Sequence, residues 1–259
     1  MAPKLSTVDL PNQSLEYFIH KISNLLTLEE CTAIIQQQES SLIPTSAALS
    51  SRLRCIFDSE NLAHLLWERL SPFYGNAIIT DEEQYTWKAV HLNTRFRFCK
   101  YSPSDAFGPH TDGRRLETLN TQSFMTVNMY LNTVPRSHGG ATRVLDPRIP
   151  GDGAEKHKVL CFVQPELGSA SVFRDSLLHD GEELSAGVKY LLRSDIMFER
   201  EKEFDFEGLY SELSSQDRGT KALEIAQRLE DGGSGEEAIR WYKKAFKLNP
   251  GLEVGDGLQ

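Results

Sequence analysis

Apolar residues along the chain change their period twice. TLEECTAIIQQQ opens with Thr27 and Glu30 at capping-box spacing and continues at helical intervals. From Ser59, the residues Leu62, Leu65, Leu66 and Leu70 share one face of a second predicted helix. Near Trp87 the period shortens, and alternating or apolar runs stand between Gly, Pro, Asn and Asp turns: NTRFRFCKY, SFMTVNMYLN, KVLCFV, SASVF and VKYLLRSDIMF. No helical stretch separates these runs, so they predict antiparallel strands in a sandwich or jelly-roll barrel, not a parallel sheet. After Phe198, Glu199, Glu201, Glu203, Asp205 and Glu207 alternate with Arg200 and Lys202, which reads as a solvated exit from the core. Helical spacing returns from Gly219 to Pro250, broken by the turn DGGSG at 231–235.

The predicted organisation is a helical support layer over 1–86, a β core over 87–200, an acidic linker over 201–218 and a helical hairpin over 219–252. A chain of 259 residues suits one substantial domain with additions. The hairpin resembles a single tetratricopeptide repeat: Ala226, Leu229, Ala238, Tyr242, Ala245 and Pro250 stand where that helix-turn-helix pattern places small, apolar and terminating residues. An ordinary helical hairpin is the alternative. One repeat cannot bury its own faces, so the tail is expected to pack on the core or on a protein partner.

Charge and cysteine usage narrow the classes. The net charge is -9 and the pI near 5.3, which disfavours nucleic acid as a partner. Cys31, Cys55, Cys99 and Cys161 form no C-x-x-C pair, and MAPKLSTVDLPNQ lacks an apolar signal core, so four free thiols in a reducing compartment are expected. No apolar run reaches the roughly 18 residues that span a bilayer. A cytoplasmic protein is expected, with the nucleus left open.

The chemistry concentrates in GPHTDG, holding His110 and Asp112, and LLHDG, holding His179. At a strand end, positions i and i+2 point the same way, so His110 and Asp112 can face one cavity while Thr111 faces away. His179, at the end of SASVFRDSLLH, is the best placed remaining histidine to complete a 2-His-1-carboxylate set, which suits iron(II) and leaves coordination positions open. In VKYLLR the same alternation puts Lys189, Leu191 and Arg193 on one face. Elsewhere it groups Arg97 with Tyr101, and Thr126 with Asn128 and Tyr130.

With these residues in order, the chain from about Asn93 to Arg200 resembles the prolyl 4-hydroxylase-like branch of the iron(II) and 2-oxoglutarate-dependent oxygenases. The matching runs are RFCKYSPSDAFGPHTDG, SFMTVNMYLN, HGGATRVLD, VQPELGSASVFRDSLLHDG and GVKYLLRSDIMF. Counting the leading helices, the likeness covers most of residues 20–200. It implies an α+β fold: a double-stranded β-helix (jelly-roll) core with N-terminal supporting helices, here followed by the C-terminal hairpin. It also implies Fe(II) held by His110, Asp112 and His179, and 2-oxoglutarate as cosubstrate, its far carboxylate on Lys189 with Arg193 as rival. Tyr101 and Thr126 match hydroxyls that support that carboxylate. Arg97 and Asn128 are candidates for the substrate wall and Arg114, after the H-x-D turn, for its rim. Ala141 in GGAT stands where many members carry an acidic residue, a departure on the substrate side.

The implied reaction hydroxylates a C–H bond with dioxygen and releases succinate and carbon dioxide, with ascorbate as a reductant. The implied substrate is a prolyl or other side chain of a protein or peptide, with a small molecule as the alternative. Two other classes stand beside it. A divalent-metal hydrolase could use the same ligands, but no separate general base is evident. A non-catalytic scaffold would have no need of all three ligands.

Overall fold

The computed structural model describes residues 1–11, 13–14, 17–45, 51–149 and 157–252. Contacts divide it into two compact units, one of Met1–Asn76, Val90–Gly113 and Phe124–Met197, the other of Ala77–Ala89, Arg114–Ser123 and Phe198–Gln259. In chain order the strands are β1 (Lys4–Thr7), β2 (Ile19–Ser23), β3 (Ile43–Pro44), β4 (Leu53–Asp58), β5 (Ile78–Thr80), β6 (Thr86–Leu92), β7 (Arg95–Tyr101) and β8 (Phe107–His110). They continue with β9 (Leu116–Thr118), β10 (Thr121–Tyr130), β11 (Thr142–Asp146), β12 (Lys158–Val163), β13 (Ala170–Arg174), β14 (His179–Gly181) and β15 (Lys189–Arg200). The helices are α1 (Leu28–Gln38), α2 (Glu60–Tyr74), α3 (Phe206–Leu209), α4 (Ser215–Gly232) and α5 (Gly235–Leu248).

In the first unit a large sheet runs β1-β2-β13-β10-β15-β7-β4-β3, and a four-stranded sheet runs β12-β11-β14-β8. This bears out the expected antiparallel β core. Phe96, Phe98, Phe124, Phe173 and Leu192 are fully buried on these strands. Tyr130, also fully buried, keeps its hydroxyl on Thr142 Oγ1 at 2.8 Å and Ser171 Oγ at 3.0 Å, so its burial leaves no orphaned polar group.

α1 begins at the predicted capping box. Glu30 N donates to Thr27 Oγ1 at 3.2 Å and Thr27 N donates to Glu30 Oε2 at 2.8 Å. The same carboxylate takes both Nη atoms of Arg69 at 2.7 Å, tying α1 to α2. The buried stripe of α2 is Ala63, Leu66, Leu70 and Tyr74, one step round from the expected face, with Leu62 and Leu65 at its flank. The leading segment also supplies β1 to β4. The run LRCIFD, lying between two helical patterns, pairs with β7 from Leu53↔Lys100 to Asp58↔Arg95.

The second unit holds the β5–β6 hairpin, β9 against the start of β10, and the three later helices. α4 starts at Ser215, capped by Ser214, so the stretch expected as linker carries α3 and the first turn of α4. Gly219, which the sequence suggests as a helix start, lies inside α4, where an added Cβ would stand 2.5 Å from Asn249 Cβ. Gly233, at φ +91°, ends α4 in the left-handed region. The apolar faces of α4 and α5 close over Leu116 of β9 and Phe206, with Ala222, Ile225, Leu229, Ala238 and Ala245 buried among them.

Candidate metal centre

Strand register brings the two histidines together: β8 and β14 pair antiparallel with His110 opposite His179. Asp112 follows just beyond β8, its N–H donating to Asp175 O at 2.9 Å. One donor atom from each of the three lies within 4.8 Å of the others, the only group of three or more such donors among the described residues. His110 Nδ1 lies 2.8 Å from Gly108 O, and His179 Nδ1 lies 2.9 Å from Leu177 O. A carbonyl only accepts, so each Nδ1 carries a proton and Nε2 is the nitrogen left to meet a metal. Those Nε2 atoms stand 3.6 and 3.7 Å from the Asp112 carboxylate.

The electrostatics suit a cation. Burial pushes the His179 pKa down to about 4, which keeps the ring neutral as a ligand. Burial works against charge on Asp112, yet Arg193, His110, His179 and Thr126 outweigh it and hold the carboxyl well below the usual carboxylate range. Phe107 stacks on His110 with ring centres 3.8 Å apart, and Phe173 meets His179 edge-on at 4.7 Å, so the rings are fixed by packing as well as by hydrogen bonds. Two imidazoles and one carboxylate are a donor set that fits Fe(II).

Both cations of VKYLLR line the same cavity, as alternation predicts. Their partners separate them. Lys189, opposite Tyr101 in the β15–β7 register, is buried, donates Nζ to Gly140 O at 2.7 Å and stands 4.8 Å over the Tyr101 ring. No carboxylate pairs with it among the described residues, and burial pushes its pKa down to about 8. Arg193, opposite Arg97, donates Nη1 to Asp112 Oδ1 at 2.7 Å and Nη2 to Asp195 Oδ1 at 3.2 Å.

The remaining expected residues divide. Tyr101 and Asn128 line the cavity, and Asn128 Oδ1 is buried without a hydrogen-bond partner. Arg97 lines it too, with Nη1 3.4 Å from Asp195 Oδ2. Thr126 gives its hydroxyl to Asp112 Oδ2 at 2.7 Å, so it orients the carboxylate ligand. Arg114 is not among the residues that line this cavity, and Glu82 holds its guanidinium at 2.7 and 2.9 Å. A bidentate carboxylate partner fixes a planar fork more firmly than an open rim would.

Three neighbours went unnoticed in the sequence. Arg52 places its guanidinium carbon 3.9 Å from the Phe107 ring centre and 5.6 Å from that of Tyr101. It lies far upstream of the motif, and nothing local in SRLRCIF marks it. Phe107 offered no signal beyond its place ahead of GPH. Asp195 did: it follows Arg193 by two residues and shares its strand face.

No family model matches the sequence, and no curated protein does. Among solved structures, the chain is similar to a Pseudomonas putida prolyl-4-hydroxylase at 16% identity over 72% of this chain and 94% of that one, with a TM-score of 0.48. A viral collagen prolyl hydroxylase from Paramecium Bursaria Chlorella virus-1, in complex with 2-oxoglutarate, gives 16% identity over 70% and 96% of the two chains and a TM-score of 0.45. A Trichoplax adhaerens prolyl hydroxylase, bound to a hypoxia-inducible-factor peptide fragment, gives 14% identity over 69% and 82% and a TM-score of 0.48.

Proposed function

We propose that this chain is an Fe(II)- and 2-oxoglutarate-dependent oxygenase with a double-stranded β-helix core, hydroxylating a C–H bond. The observation that carries the reading is one cavity holding both a 2-His-1-carboxylate donor set and a buried ammonium, Lys189, that no carboxylate neutralises. A hydrolytic metal site has no use for that second feature, whereas a dicarboxylate cosubstrate requires it.

His110, Asp112 and His179 would hold the metal. Bound there with 2-oxoglutarate, the metal supplies dioxygen activation, with succinate and carbon dioxide released. The chain's own part is positioning and charge. Arg193 and Thr126 each take one oxygen of Asp112, which fixes the carboxylate before any ligand arrives. Lys189 pairs the cosubstrate carboxylate that lies away from the metal, and Tyr101 closes the space beneath it. Arg193 is engaged with Asp112 and Asp195, which leaves Lys189 as the better clamp. Asn128 Oδ1, with its hydrogen-bonding capacity unused, is the acceptor offered to substrate. The substrate implied by the resemblance is a prolyl or other side chain of a peptide or protein.

Anaerobic titration with Fe(II) and 2-oxoglutarate tests the reading through the visible metal-to-ligand charge-transfer band. The band is expected in the wild type and absent in His110→Ala and Asp112→Ala. Lys189→Ala should weaken 2-oxoglutarate binding about 100-fold, the loss of roughly 2.7 kcal/mol of charge-assisted pairing. An unchanged band in all three variants would overturn the assignment.

A further inference from the structure

A second cavity, of about 200 Å³, is lined wholly by residues of the second unit. Leu116, Leu119 and Ile225 contribute apolar wall, and Arg114, Arg200 and Arg228 contribute charge. The carboxylates on this wall divide between engaged and exposed groups. Asp81 accepts from Glu83 N at 3.0 Å, Tyr85 N at 2.9 Å and Trp87 Nε1 at 2.8 Å, while Glu82 is taken by Arg114. Glu83 is exposed.

Among the described residues neither Arg200 nor Arg228 makes a direct ion pair with a carboxylate, although Glu83 and Glu224 lie near enough to Arg228 to act on its charge. Arg200 is 8% exposed, and its guanidinium carbon lies 3.5 Å from the Tyr85 ring centre, 5.1 Å from that of Trp87 and 5.4 Å from that of Phe204. Rings favour a cation but give its N–H groups no full acceptor, and Arg200 Nε is buried with no hydrogen bond. Arg228 Nη2 donates to the neutral Gln122 Oε1 at 2.6 Å. Arg228 is exposed on α4, so only Arg200 bears the cost of a cation held away from water without an anion, and the guanidinium forks of both can take a carboxylate in two parallel hydrogen bonds.

We propose that this cavity binds a carboxylate borne on an apolar body, held by Arg200 and Arg228. With Glu82 paired to Arg114, Asp81 and Glu83 offset the charge of Arg200 and Arg228, so a singly charged carboxylate suits the wall better than a phosphate near two negative charges. The carboxylate can come from a free organic acid or from the C-terminus of a peptide. The site is independent of the oxygenase reading, because none of its lining residues belongs to the metal cavity.

Calorimetric titration of the full chain tests it with phenylacetate against phenylacetamide, and with acetyl-Ala-Ala-Phe as free acid against its C-terminal amide. Phenylacetate should bind saturably and at least about 10-fold more tightly than its amide, the discrimination expected of a charge-assisted pair. Arg228→Gln, a substitution that keeps a polar side chain on α4, should weaken that binding by about 5-fold or more with the circular dichroism unchanged. Lys189→Ala should leave it unaltered. Tighter binding of the peptide acid than of phenylacetate assigns the carboxylate to a peptide end, and the reverse order to a free acid. Absence of saturable acid binding, equal binding of acid and amide, indifference to Arg228→Gln, or loss in Lys189→Ala would each overturn the proposal.

Discussion

Asp112 Oδ1 and Oδ2 are each held by a different donor, Arg193 and Thr126, and this arrangement ranks the consequences of single substitutions. Thr126→Val removes the hydroxyl's hydrogen bond to a carboxylate still pinned by Arg193. Competition titration should show metal affinity reduced about 10-fold, at the low end of what loss of an outer partner costs. Lys189 allows a sharper test. Burial favours its neutral amine, so between pH of about 8 and its ordinary 10.5 the unfolded chain holds more proton than the folded one. Stability of the unloaded protein should therefore rise with pH across that window. At neutral pH the buried ammonium costs roughly 3 kcal/mol, so Lys189→Met should unfold at higher denaturant, flatten the rise and bind 2-oxoglutarate poorly. Identical pH profiles for the two proteins would count against the buried charge. The candidate site was legible because His110, Asp112, His179 and Lys189 lie in short local patterns at strand ends. Thr126 was found but given the wrong neighbour, since alternation says which face a hydroxyl takes and not which atom it meets there.

At the scale of elements, capping and packing glycines decide boundaries. The Thr27 and Glu30 box was readable because both of its hydrogen bonds are local. Gly219 was not, because what demands a glycine is Asn249, thirty residues on, at the far end of α5. Gly219→Ala should force α4 and α5 apart and destabilise by about 1–3 kcal/mol, the usual cost of overpacking. Gly235, with nothing near a new Cβ, is the control: Gly235→Ala should be neutral or stabilising by about 0.5 kcal/mol. Chemical denaturation of the two variants checks both, and equal midpoints would contradict the close approach. β4 was missed for a related reason. Its six residues gain their strand character from pairing with β7, which a reading of local period does not see.

For the whole molecule, composition divides the chain where charge and period change, whereas contacts assemble the second unit from three separated stretches. The hairpin at 77–89 and the strand at 114–123 carry no local mark of belonging with the C-terminal stretch, because the strand joins it by burial of Leu116 with Phe206 and Ala222 in one cluster and the hairpin through Tyr85 and Trp87 against Arg200. Ligand linkage gives a global readout of the proposed activity. With Mn(II) as a redox-quiet substitute and 2-oxoglutarate at about 100 times its Kd, the folded state should gain about 2.7 kcal/mol. Thermal unfolding should show a raised midpoint in the wild type and none in His179→Ala.

Lys189 finally links occupancy to persistence. A chain whose inner ammonium lacks an anion spends more time unfolded than one in which a cosubstrate carboxylate has arrived, and unfolded chains are what proteases remove. Under the proposed reading, the abundance of this protein follows the supply of 2-oxoglutarate through turnover, before any product is made. A pulse-chase comparison of wild type with Lys189→Met under cosubstrate depletion would show it as a shortened half-life in the wild type alone.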